Sequence, residues 1–243
     1  MTDPSEPPFQ LTRDTIMSGV MRRDAVTGGM RVLTDDELAA SRASMLAGRK
    51  PGDPVWVFGY GSLIWNPAFH FVEQRSGRIV GRHRQFCLWT HLGRGSPEQP
   101  GLTLALEPGG SCTGVAFRIA AGEVASELEI VWRREMLSDA YAPRWVRVLT
   151  AEGPVSAVAF TMNHSHPRYA GRLDEETVAR VLASASGRLG RCADYLFRTI
   201  EALDALNLSD RRLHALADKV RQLGCREEGG IATVAPLAAG LKG

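Results

Sequence analysis

The sequence is short of cysteine pairs, of excess charge and of long apolar runs, and each shortage removes a class of protein. Four cysteines, Cys87, Cys112, Cys192 and Cys225, are scattered along 243 residues with no C-x-x-C pair and no spacing shared with the histidines. Neither a zinc site nor a disulfide framework is expected from that pattern. No apolar run approaches the roughly 20 residues of a membrane span. The polar start MTDPSEPPFQLTRD lacks the apolar centre of a signal peptide. The expectation is a cytoplasmic protein with reduced thiols and no membrane partner. Net charge is only +2, too little for the electrostatic footprint of a nucleic-acid binder. Arg75, Arg78, Arg82 and Arg84 alternate along an expected strand and read as a solvated face. There is no internal repeat and no low-complexity segment.

What is present describes a globular chain. Hydrophobic residues make up 44% and charged residues 23%, enough apolar side chain to build a core and too little net charge for disorder. The length suits one domain with an extension. Residues 1–50 read as that extension: a Pro-rich start, a short helical stretch, and LTDDELAASRASMLAGRK, where Thr34 and Asp35 can cap a second amphipathic helix. Residues 51–225 read as the main unit and 226–243, ending in GGIATVAPLAAGLKG, as a loose tail. Within the main unit VWVFGY, GRIVGRHRQFCLW, GLTLALE and CTGVAFRI read as strands. A helix follows over about 122–137, then strands in RWVRVLT and VSAVAFTM, then helices in DEETVARVLASAS and CADYLFRTIEALDAL. This order predicts an α+β fold, a barrel-like sheet with helices packed on it rather than repeated βαβ units.

Two stretches carry the question of function. In VWVFGYGSLIWNPAF, residues 55–69, a strand breaks at Gly59-Tyr60-Gly61-Ser62. Glycines there mean a tight bend or a backbone that something approaches closely. The dinucleotide fingerprint G-x-G-x-x-G would need a glycine at Ile64 and a helix opening at once, whereas Asn66-Pro67 marks another turn. Ser62 sits in no G-x-S-x-G elbow and reads as a hydrogen-bonding group, not a nucleophile. In EIVWRREMLSDAY, Glu135 is either a surface glutamate or a partly buried general base, and spacing does not decide between them. His164 and His166 alternate along the chain but have no cysteine or carboxylate beside them in sequence, which gives no ground for a metal site. His70, His83, His91 and His214 are isolated.

Taken together, FGYGSLIWNP, GRGSPEQPGLTLALEPGGSCTGVAFRI, WRREMLSDAY, HPRYAGRL and SGRLGRCADYLFRTI resemble, in order and over residues 55 to 220, the ChaC family of γ-glutamylcyclotransferases. The resemblance implies a γ-glutamylcyclotransferase-like fold, a mixed β-barrel with surrounding helices. It implies cleavage of glutathione to 5-oxoproline and cysteinylglycine, with no metal and no cofactor. It places the catalytic glutamate at Glu135, the turn that holds the γ-glutamyl end at Tyr60, Gly61, Ser62 and Leu63, and two further substrate-facing tyrosines at Tyr141 and Tyr195. The alternatives it leaves are a non-catalytic sensor of γ-glutamyl metabolites or regulator of cation transport, and a cyclotransferase for other γ-glutamyl compounds. The N-terminal extension, the tail and Arg82-His83 in GRHRQF depart from the family pattern.

Overall fold

Strands in the middle of the chain need partners for their backbone amides, and here they find many of them by closing into a barrel. The computed structural model describes residues 9–50 and 52–228. Strands β1 (Val55–Gly59), β2 (Glu73–Thr90), β3 (Gly101–Ile119), β4 (Tyr141–Thr150) and β5 (Gly153–Met162) form a closed barrel in the order β1-β3-β2-β4-β5. Neighbours are antiparallel except at the closure, where β5 runs parallel to β1 and touches β3 in parallel register. The barrel is therefore mixed. GLTLALE and CTGVAFRI, expected as separate strands, are one continuous β3. Pro108-Gly109-Gly110 does not reverse the chain because Pro108 and Ser111 stay paired with Arg82 and Val80 across a register break that bends the long β2-β3 hairpin.

Both faces of the sheet are covered by helices. Val55 and Val57 join a core with Leu128, Ile130, Val131 and Trp132 of α5 (Val124–Glu135). Phe58 belongs to a second core with Leu182 of α6 (Glu175–Ser184), Leu196 of α7 (Cys192–Ala205) and Leu216 of α8 (Arg211–Glu228). The Asp174 carboxylate caps α6 by accepting the Thr177 N–H at 2.8 Å. Among the described residues no helix is long and apolar enough to cross a membrane.

The N-terminal segment forms α1 (Arg13–Met17), α2 (Val20–Thr27) and α3 (Asp35–Leu46). Thr34 caps α3 reciprocally: its hydroxyl accepts the Glu37 N–H at 3.1 Å, and its own N–H donates to the Glu37 carboxylate at 2.6 Å. Ile16, Leu33 and Leu38 complete the α5 core, so residues expected as an extension share the barrel's apolar packing. The Pro-rich start before residue 9 and the tail from 229 lie outside the described residues.

Two sequence expectations change. A helix does open after the glycine turn: α4 (Ser62–Trp65) is a single turn that fits between Gly61 and Asn66, whose N–H closes it on the Ser62 carbonyl at 2.9 Å. The arginine stripe is also not simply solvated. Arg75 lies over the Trp56 ring and pairs with Glu73, while the Arg84 side chain is buried, donates to the Tyr60 and Thr113 carbonyls and lies 3.3 Å from Asp210. In that setting the long arginine stems supply apolar contact and the heads find acceptors.

Candidate active site

The turn between β1 and α4 is held in place by its own side chains. The Tyr60 hydroxyl donates to the Phe160 carbonyl at 2.6 Å, and the Tyr60 carbonyl accepts from Arg84 at 2.9 Å. Leu63 is buried against the α5 core. Gly61 has no room for a side chain, because a Cβ there would stand 2.6 Å from the Tyr195 hydroxyl. The close approach anticipated at Gly61 is thus made within the protein, by Tyr195, whose hydroxyl also faces the Ser62 and Leu104 amides.

Glu135 is the last residue of α5, where the helical stripe no longer dictates which way a side chain faces. Its side chain is 14% exposed, and one carboxylate oxygen lies 2.8 Å from Arg134 Nε. Burial raises its pKa above the usual carboxylate range; the charge and the hydrogen bond of Arg134 oppose the shift without cancelling it. Desolvation wins that competition.

Arg134, which sequence reasoning did not single out, ties the site together. Its side chain is only 3% exposed. It donates to the Ser62 hydroxyl at 2.9 Å and to the Asn66 and Pro67 carbonyls, besides pairing with Glu135. Ser62 accordingly serves as an acceptor. Its neighbour Arg133 turns outward to Glu129 at 2.8 Å and Asp35 at 3.2 Å. Two adjacent arginines before a glutamate were the only sequence signal, and they do not say which one points in.

Tyr141 opens β4, and its hydroxyl donates to the Leu104 carbonyl at 2.8 Å. Tyr195 projects from α7, wedged edge-on between Trp65 and Phe86 with ring centroids 6.1 and 6.0 Å away. Burial, reinforced by Glu135, pushes the Tyr195 phenol up to about 12 and those of Tyr60 and Tyr141 well above the usual tyrosine value. All three stay protonated at neutral pH and act as hydrogen-bonding groups.

Tyr60, Gly61, Ser62, Leu63, Glu135, Tyr141 and Tyr195 line one cavity, closed further by Leu104 and Phe160. Its free volume is about 20 Å³, room for one water-sized group. Elsewhere, His164 lies 3.0 Å from the buried Glu107, and His166 lies 3.5 Å from Asp139. Among the described residues no group of three or more His, Cys, Asp or Glu is placed to hold a metal ion.

A sequence model of the family described as ChaC-like protein matches residues 55–223. A protein of Escherichia coli K12 named glutathione-specific gamma-glutamylcyclotransferase is 43% identical over 189 residues, 77% of this chain and 82% of its own length. Gamma-glutamylcyclotransferase 2-1 of Arabidopsis thaliana is 35% identical over 72% of this chain and 86% of its own. A yeast crystal structure described as a gamma-glutamyl cyclotransferase specific to glutathione superposes with a TM-score of 0.64 at 21% identity, covering 70% of this chain and 96% of that one. The family match runs over the barrel and the helices that carry the cavity, and the chain belongs to the ChaC-like protein family.

Proposed function

We propose that the protein is a glutathione-specific γ-glutamylcyclotransferase, a lyase that converts glutathione to 5-oxoproline and cysteinylglycine. The observation that carries this reading is the convergence, on one cavity, of a buried carboxylate of raised pKa, a glycine turn and three protonated tyrosines drawn from the β1–α4 turn, α5, β4 and α7. The names of the Escherichia coli and Arabidopsis relatives point the same way.

In the reaction the α-amine of the γ-glutamyl group attacks its own γ-carbonyl. A C–N bond to the α-amine forms, the C–N bond to cysteine breaks, and the proton lost by the attacking amine is returned to the leaving one, so no water and no cofactor enter the balance. Glu135 accepts the proton, a task helped by a pKa lifted toward neutrality. The N–H groups of the Gly61–Leu63 turn receive the α-carboxylate. Because both reacting groups belong to one molecule, correct folding of the substrate can recover on the order of 7 to 11 kcal/mol of barrier. A γ-glutamyl group exceeds the closed cavity, so Tyr195, whose hydroxyl stands over Gly61, must swing aside on binding.

A cytoplasmic location is part of the proposal and rests on the free, buried thiols of Cys87, Cys112 and Cys192. The test is to incubate purified protein with glutathione and follow 5-oxoproline. Release of 5-oxoproline and cysteinylglycine in equal amounts supports the reading; tight binding without product would replace the enzyme with a sensor.

A further inference from the structure

Beside the small cavity lies a cleft of about 460 Å³ that shares Ser62 and Tyr195 with it. Phe9–Thr12 of the N-terminal segment forms one wall, fastened by the Asn66 amide donating to the Leu11 carbonyl at 2.9 Å. Arg94, in the loop between β2 and β3, forms another. Arg94 is only 6% exposed, yet no carboxylate among the described residues lies within salt-bridge distance of it. Its one hydrogen bond among the described residues runs from Nη1 to the Arg191 carbonyl at 3.2 Å. Burying a cation without a counter-charge costs several kcal/mol unless something offsets it. Asp194 lends a partial field from a distance, while Arg198, at the exposed rim over Trp65, repels it. The loop that carries Arg94 packs closely on residues 187–189: Gly93 accepts the Leu189 N–H at 2.8 Å, and a Cβ on Gly187 would collide with the Gly95 carbonyl. A fixed, buried guanidinium opening into a roomy cleft is therefore missing an anion.

We propose that this cleft is the subsite for the cysteinylglycine portion of the substrate, with Arg94 receiving the terminal glycine carboxylate and Arg198 assisting from the rim. The inference rests on the activity proposed above. Glutathione carries two carboxylates. With the α-carboxylate at the Gly61 turn, the second carboxylate needs room a dipeptide away, and the cleft, which shares Ser62 and Tyr195 with the cavity, offers it. A guanidinium fork matches a carboxylate bidentately and discriminates against neutral groups. The subsite explains selection of a tripeptide over shorter γ-glutamyl compounds, and it gives residues 9–12 a part in the binding wall.

The test compares glutathione with its glycine carboxamide, which differs only in the missing charge. Wild-type protein should prefer the free acid through KM, by about 10- to 100-fold, the range of hydrogen bonding to a charged group. Arg94→Gln should raise KM for glutathione by that factor and KM for the carboxamide, whose oxygen accepts only a neutral hydrogen bond, by far less. Arg198→Gln, an exposed position safe for folding, should move glutathione alone by about two- to fivefold. If Arg94→Gln slows both substrates equally, or if Arg94→Gln does not fold and Arg198→Gln shows no selective effect, Arg94 is structural and the subsite is refuted. Titration calorimetry with the same two compounds separates this from failure of the activity: if wild type turns over neither yet binds the free acid more tightly in an Arg94-dependent way, the subsite stands without the enzyme, whereas equal affinities overturn it.

Discussion

Glu127 and Glu135 stand in the first and last turns of the same helix, both largely buried, and their carboxyls are shifted in opposite directions. Burial pushes both up. At Glu127 it is outweighed by Arg13, whose guanidinium forks onto the carboxylate at 2.6 and 2.9 Å, and by the His70 N–H at 2.8 Å, so the carboxyl falls below the usual range. At Glu135 only Arg134 approaches among the described residues, and that guanidinium is shared among Ser62, Asn66 and Pro67, so burial prevails. The lesson is that burial alone does not make a base; the number of donors left for the carboxylate decides. One glutamate fastens the N-terminal segment to α5, and the other keeps a lone pair free in a cavity.

The sharpest way to break this contrast is to remove each charge in turn. Glu135→Gln preserves volume but cannot accept a proton at neutral pH, so kcat should fall by about 100- to 10,000-fold with KM for glutathione little changed. Steady-state kinetics of folded protein checks it, and retention of more than roughly a tenth of turnover removes Glu135 as the base. Gly61→Ala tests the same end of the helix from the other side. Its methyl meets the Tyr195 hydroxyl, adding about 1–3 kcal/mol of overpacking that chemical denaturation should read as lost stability of the free protein. Adding Tyr195→Phe to Gly61→Ala removes the clashing oxygen and should recover part of the loss; no recovery would mean the turn fails for another reason. Glu127→Gln should leave kcat intact and lower stability by about 1–3 kcal/mol, since Arg13 and the His70 amide lose a charged acceptor. Chemical denaturation measures it, and a fall in kcat instead would erase the distinction between the two glutamates.

How much of this was legible depends on whether local pattern or tertiary contact decides. The strands, apart from the two that fuse into β3, and α5, α6 and α7 follow from apolar periodicity; the α3 cap follows from Thr34, but its partner is Glu37 and not Asp35, which is already the first helical residue. A four-residue helix such as α4 has no periodicity to read. Glu135 lies at a helix end, where spacing is silent, and it was the family resemblance that brought it together with Tyr141 and Tyr195. Arg84, Arg94 and Arg134 were invisible as buried groups because an arginine normally reads as surface; their burial is fixed by carbonyls and hydroxyls from distant segments. The packing of residues 9–50 on α5 joins residues about a hundred positions apart, through the Arg13–Glu127 pair and through Ile16, Leu33 and Leu38 in the shared core.

The smallest expected effect is also the one that tests the contrast most directly, because it is a difference in sign. Glu135 has a folded-state pKa above its ordinary value of 4.5, so its contribution to stability is fully present below that value and is lost as pH rises through the raised one. Glu127 has a folded-state pKa below 4.5, so its contribution is present above that value and is lost as pH falls through the lowered one. Each unit of separation between folded and unfolded pKa corresponds to about 1.4 kcal/mol. The stability of Glu135→Gln relative to wild type should therefore improve as pH climbs from about 4.5, because the variant has no buried charge to develop. The deficit of Glu127→Gln should be greatest near neutrality and shrink on acidification, because wild type then loses the same ion pair. Urea denaturation of the three proteins across the acid range reads both slopes. Slopes of the same sign would show that the two carboxyls share one kind of environment, and the separation of a structural glutamate from a chemical one on α5 would fail.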